Sequence, residues 1–209
     1  MSGTEPAEPL VLIVSGPSGS GKSTLVQKVL ELPGFRLSVS CTTRPPRKTE
    51  AAGKWYNFVS EGEFRQMVER GEFLEHAQVF GKNWYGTPLK SLDEAREQQK
   101  ALVLEIDVQG ALQAKKKLPH AVAIFVLPPS REDLERRIRE RGQDSEDEIQ
   151  WRLERARQEI LNYGAYDFVV INDDLERAGR EVQAIAVSSR CRVEQEEMRI
   201  HEILKTFGG

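Results

Sequence analysis

Leu10-Val11-Leu12-Ile13-Val14, then Ser15-Gly16-Pro17-Ser18-Gly19-Ser20-Gly21-Lys22-Ser23-Thr24, then Leu25, Val26, Val29 and Leu30 form the stretch whose reading decides the fold. The apolar run predicts a buried strand, and the spacing of positions 25, 26, 29 and 30 predicts one face of a helix. Between them stands GxxxxGK[ST], a phosphate loop in the strand–loop–helix setting that it needs. Glycines at 16, 19 and 21 permit positive φ, so successive amide hydrogens can turn inward on an anion. The helix that follows aims the positive end of its dipole at the same point. Gly16, Pro17, Ser18, Gly19, Ser20, Gly21, Lys22, Ser23 and Thr24 are therefore the candidate cradle for a triphosphate. Lys22 would reach the β- and γ-phosphates, and the Ser23 hydroxyl would join the coordination of Mg²⁺. A plain Gly/Ser-rich turn is the alternative, and it explains the letters but not the setting.

The remaining composition sets bounds. At 209 residues the chain can bury one substantial core, so one domain with insertions is expected rather than two independent ones. With 39% apolar and 30% charged residues it reads as a soluble globular protein. A formal charge of −3 argues against a general nucleic-acid binder, whose backbone contacts need excess cations. Cys41 and Cys191 are the only cysteines, and no apolar run is long enough to span a bilayer, so a reduced, cytoplasmic setting without a membrane partner is expected.

Along the chain, residues 1–9 read as a mobile tail. Residues 35–40 alternate apolar and polar as one half-buried strand. The segment 41–48 is a loop rich in hydroxyls and cations, with a proline pair that prevents helix. Strands at 55–59 and 73–80, separated by a helix near 61–70, mark an inserted strand-rich lobe. Ser91 with Glu94 resembles a capping box for a helix to about residue 99. Continuous apolar runs at 101–106 and 121–127, with a helix at 111–117 between them, give the α/β alternation of a parallel sheet. Ser130 with Asp133 opens a charged helix to residue 141, Ser145 with Glu148 opens another to about 163, and 168–171 is a last short core strand. The fold class is thus α/β: a three-layer core on a parallel sheet with an inserted mixed-β lobe and a helical lid. The expected divisions are 1–9 tail, 10–38 core, 39–90 inserted lobe, 91–129 core, 130–166 lid, and 167–209 core with a C-terminal helix.

Arg44, Arg47, Tyr56 and Tyr85 fall in the inserted lobe near Ser40, Glu75 and Thr87. Singly, each reads as surface or strand filler. Together, two guanidinium forks and two phenols can hold a phosphate dianion. A carboxylate with neighbouring hydroxyls complements guanine, whose N1–H and exocyclic amine donate while O6 accepts.

On these segments, with Glu105-Ile106-Asp107-Val108-Gln109-Gly110 and Ile171-Asn172-Asp173-Asp174, the chain resembles the guanylate kinases over residues 10–186. The resemblance implies Mg²⁺-dependent transfer of the ATP γ-phosphoryl group to GMP or dGMP. It implies that Arg44, Arg47, Tyr56 and Tyr85 bind the GMP phosphate and that Ser40, Glu75 and Thr87 recognise the base. Glu105 or Asp107 would assist at the base or at magnesium, Asp107 through a bound water. Lys22, with Arg44 and the lid arginines Arg137, Arg141 and Arg152, would carry the transfer. The family often has Asp where this chain has Glu105. Two other readings stand beside this one: a protein-interaction module, which typically lacks an intact phosphate loop, and a kinase for another acceptor. In the C-terminal helix, Met198, Ile203, Leu204 and Phe207 could pack on the core or on a second subunit.

Overall fold

The computed structural model describes residues 8–46, 55–79, 81–140, 142 and 144–208. Arg47, Arg141 and most of the expected N-terminal tail lie outside the described residues. In chain order the elements are β1 (Val11–Ser15), α1 (Lys22–Leu30), β2 (Phe35–Leu37), β3 (Ser40–Thr42), β4 (Tyr56–Phe58) and α2 (Glu61–Glu69). Next come β5 (Phe73–Val79), β6 (Asn83–Pro88), α3 (Lys90–Glu97), β7 (Ala101–Glu105), α4 (Val108–Lys117) and β8 (Val122–Leu127). The chain closes with α5 (Arg131–Glu140), α6 (Glu146–Ile160), β9 (Phe168–Ile171), α7 (Leu175–Arg190) and α8 (Val193–Thr206).

Five strands form a parallel sheet in the order β2-β7-β1-β8-β9. Because side chains alternate along a strand, Leu12 and Val14 of β1 pack with Leu25, Val26 and Val29 of α1 and Val182 of α7. Val11 and Ile13 face the other way, onto Ala95 of α3 and Ala111 and Ala114 of α4. Leu12, Ile13, Leu102 and Ile124 are wholly buried, each worth about 1.5–3 kcal/mol over an exposed position. The sheet is thus covered on both faces, which is why its central strands read as unbroken apolar runs. The edge strand β9 departs from the expected core strand. Among the described residues it pairs with β8 alone, and Val170 is buried while Phe168, Val169 and Ile171 stay exposed.

A second, mixed sheet has the order β4-β3-β6-β5. The single strand expected over 35–40 is in fact two, β2 in the parallel sheet and β3 in the mixed one, divided at Ser38 and Val39. Phe35, Leu37 and Val39 alternate with Arg36, Ser38 and Ser40 straight through the break, so the pattern carries no mark of the change of sheet, although β3 is buried at every position. The expected capping box at Ser91 is also corrected. Leu89 is the N-cap of α3 and uses no side chain, while Ser91 is buried and its hydroxyl lies 3.1 Å from that of Ser38. That pair ties together the two connections through which the chain leaves and rejoins the core. The helix expected at 111–117 begins earlier, at Val108, because Asp107 caps it by accepting from the Gly110 amide at 2.8 Å.

Two further contacts fix the mixed sheet against α4. The Gln113 side chain donates to the His76 carbonyl at 2.9 Å and accepts from its amide at 3.3 Å, acting as a strand neighbour for β5. Lys117 donates to the Phe73 carbonyl at 3.2 Å. On its other side the sheet has its own core, where the rings of Phe64 and Phe73 stack at 4.6 Å over Cys41.

Candidate active site

The loop between β1 and α1 takes the conformation its glycines permit, with φ of 141° at Gly16, 98° at Gly19 and 93° at Gly21. At Gly21 the requirement is double. Besides the positive φ, a Cβ there would lie 2.2 Å from Asn172 Nδ2. That amide donates to the Ser20 carbonyl at 2.8 Å, and Arg137 of α5 donates to the Ser20 carbonyl at 3.3 Å and the Asn172 carbonyl at 2.6 Å. The loop is therefore braced from behind by residues more than a hundred positions away.

Lys22 Nζ donates to the carbonyls of Gly16 at 2.7 Å and Pro17 at 2.9 Å, which draws the ammonium across the loop. Ser23 Oγ donates to Glu105 Oε1 at 2.5 Å. Glu105 thus stands beside the phosphate loop at the end of β7. Asp107 Oδ2 is buried and accepts no hydrogen bond, and Arg155 Nη2 of α6 stands 4.0 Å from it. Burial pushes the Asp107 carboxyl above its ordinary range and does the same to Glu159, which accepts from Arg155 Nε at 2.9 Å. A hydroxyl and two carboxylates facing a phosphate loop are the donor chemistry of a hard divalent cation. The orphaned Asp107 oxygen fits a water of such an ion.

Across the cleft, Glu75 of β5 is 3% exposed, and its Oε1 accepts from the Thr87 hydroxyl at 2.6 Å. Ser40 Oγ lies 3.5 Å from Thr87 Oγ1. The Tyr56 and Tyr85 rings meet edge-on at 5.8 Å, and the Arg44 guanidinium sits 5.6 Å from the Tyr56 ring centre. This cation–π contact, with another at 5.7 Å over the Phe58 ring, keeps Arg44 beside Tyr56, although Arg44 does not itself line the cleft.

One cleft is lined by Lys22 and Ser23 from the loop, by Ser40, Tyr56, Glu75 and Tyr85 from the mixed sheet, and by Glu105 and Asp107. Thr87 stands behind Glu75 rather than in the wall. Arg152 is paired with Asp144 at 2.8 Å and does not line the cleft, nor does Arg137, which is committed to the loop carbonyls. Arg47 and Arg141 fall outside the described residues.

The model of the family described as guanylate kinase matches residues 8–189. A guanylate kinase from Myxococcus xanthus (strain DK1622) is 48% identical over 188 residues, 89% of this chain and 90% of that protein. One from Escherichia coli (strain K12) is 43% identical over 201 residues, 95% of this chain and 96% of that protein. The chain belongs to the guanylate kinase family. The crystal structure of guanylate kinase from Anaplasma phagocytophilum superposes with a TM-score of 0.75 at 35% identity, covering 90% of each chain. The chain is accordingly an ATP:GMP phosphotransferase.

Several residues in and around this kinase's cleft carry no local signature. Asn172 sits in a segment quoted for the family likeness, yet its hold on Ser20 follows only from the fold. Arg155 and Glu159 look like one more i,i+4 pair on a charged helix, and only the approach of α6 to Asp107 distinguishes them.

Burial drives the Glu75 carboxyl up to about 7, against the Thr87 hydrogen bond, which lowers it. A carboxyl whose folded pKa lies above its ordinary value binds its proton more tightly when folded. Its contribution to stability is therefore lost as pH rises from about 4.5 through about 7. Glu75→Gln should thus gain stability relative to the native kinase between about pH 5 and about pH 8. Thermal denaturation across that range checks it, and a gap that is constant or narrows would refute the raised pKa.

Proposed function

We propose that this kinase holds ATP by its phosphates on the loop 16–24 and presents GMP or dGMP to it from the mixed sheet. The observation that carries this reading is the shared cleft, with Lys22 on one wall and Tyr56, Glu75 and Tyr85 on the other. Arg44, Arg47, Tyr56 and Tyr85 grip the acceptor phosphate. Glu75, held by Thr87 and joined by Ser40, accepts from the N1–H and amine of guanine.

The acceptor oxygen is already anionic at neutral pH, so the kinase supplies position and charge rather than a general base. Lys22 draws charge from the γ-phosphoryl group and the leaving diphosphate. Arg137, fixed on the Ser20 carbonyl, stands beside the loop, and Arg141 and Arg152 come from the lid over 130–166. Closure of that lid keeps out water, the competing acceptor. Mg²⁺ arriving with ATP would neutralise charge on the β- and γ-phosphates, held by Ser23 and, through water, by Asp107. The Ser23–Glu105 hydrogen bond favours a role for Glu105 at the metal side over one at the base.

Coupled ADP release measured with GMP, dGMP, AMP, CMP and UMP tests the reading. Turnover confined to the guanine nucleotides is expected. Preference for another base discards the Glu75 assignment, and no turnover at all leaves an interaction module.

Two unpaired cysteines and nucleotide substrates support a cytoplasmic setting, and among the described residues no helix is long and apolar enough to cross a membrane. With a formal charge of −3, the substrates rather than nucleic acid are the proposed partners. No residue of α8 is buried, so it does not pack into the core. Ile200, Ile203, Leu204 and Phe207 share one exposed face of it, with acidic residues in the first turn and Lys205 in the last. That charge arrangement is complementary to a second copy of α8 running antiparallel, and self-association through this face is proposed. Leu204→Glu should halve the mass seen in sedimentation equilibrium while leaving turnover unchanged. An unchanged mass would refute pairing through α8.

A further inference from the structure

Gly110 occupies the first turn of α4, where it has neither a positive φ nor a turn to make. Alanine is the better helix former at such a position, so conformation does not account for the glycine. Space does. A Cβ at Gly110 would lie 2.4 Å from Glu75 Oε2 and 3.0 Å from Glu75 Cδ, with Asp107 Oδ1 next at 3.2 Å. Glu75 Oε1 is meanwhile held by Thr87, itself wholly buried. The carboxylate is thus pressed between β6 and the bare backbone of α4.

From this geometry we infer that Gly110 is a positioning residue for guanine specificity: by lacking a side chain it lets α4 set the plane and depth of the Glu75 carboxylate in the cleft. This rests on the reading of Glu75 as the base-recognising residue. The atoms in the way are the end of a side chain and not backbone, so an added methyl displaces the carboxylate while the helix stays in place. The Gln113 clamp on His76 keeps β5 and α4 from spreading to absorb it. Gly86 makes the contrasting case, because a Cβ there would meet the rings of Phe73 and Phe64, so a methyl would disturb packing instead of the site.

Gly110→Ala is expected to raise the KM for GMP by about tenfold and to erode GMP-over-AMP selectivity by a similar factor, since one displaced acceptor is worth about one hydrogen bond. The KM for ATP should not move. Glu75→Ala/Gly110→Ala should fold and should match Glu75→Ala alone in KM for GMP and in selectivity, because the shortened side chain leaves room for the methyl. Should Gly110→Ala itself fail to fold, recovery of the fold in the double variant still supports the inference, and failure of both overturns it. It is also overturned if Gly110→Ala leaves the KM for GMP unchanged, if the KM for ATP rises equally, or if the two substitutions lose selectivity additively. Unchanged selectivity in Glu75→Ala alone removes the base-site reading and the inference with it. A selective loss there with a silent Gly110→Ala removes the inference only.

Discussion

Replacing Lys22 with alanine is expected to lower kcat by at least about 10³-fold, in line with the loss of a main charge contact to a transferring phosphoryl group. The Nζ reaches across the loop to the carbonyls of Gly16 and Pro17, at the middle of the cradle. No other lysine lines the cleft among the described residues. The same substitution should leave the Kd for GMP nearly unchanged, because the groups proposed to hold GMP come from the segment β3 to β6, whereas Lys22 belongs to the phosphate loop. Isothermal titration with GMP and a steady-state assay on the same preparation separate the two effects. A parallel loss of GMP affinity in a folded variant would mean that the two half-sites are not independent.

Glu75→Gln is expected to reduce discrimination between GMP and AMP by about 10²-fold, since a site built on hydrogen bonds loses most of its selectivity when a required acceptor becomes a donor. The amide would set an NH₂ group against one of the two donors of guanine. Thr87 could still donate to the remaining oxygen, so the side chain should keep its place and the fold should hold. The ratio of kcat/KM values for the two acceptors is the measurement. An unchanged ratio would show that another group reads the base.

The stretch from β1 to α1 was legible because everything that shapes it is local: an apolar run, three glycines and a helical period within twenty or so positions. The α/β core was legible for the same reason, since buried parallel strands advertise themselves by lacking alternation. The change of sheet at Ser38 and Val39 was not, because the apolar–polar alternation of residues 35–40 passes straight through it. Strand β6 was unmarked, as Gly86 and Pro88 interrupt the usual signal of a strand. In the cleft, the residue types lining the walls could be gathered from the family likeness. The bracing of the loop by Asn172 and Arg137 could not, because it joins side chains to a carbonyl at the far end of the sequence. The same holds for Gly110, whose meaning depends on what stands over it.

The hydroxyl pair Ser38–Ser91 has an architectural corollary. No described residue from 39 to 90 takes part in the register of the parallel sheet, so the excursion between those two serines leaves and rejoins the core at one place. The excursion could be exchanged for another of matching span without re-registering a strand, provided that the replacement also supplies a plug for the spot that Leu74 fills beside Val11, Ile13 and Leu104. The acceptor-binding half of the molecule is, in that sense, a detachable fitting on a nucleotide engine.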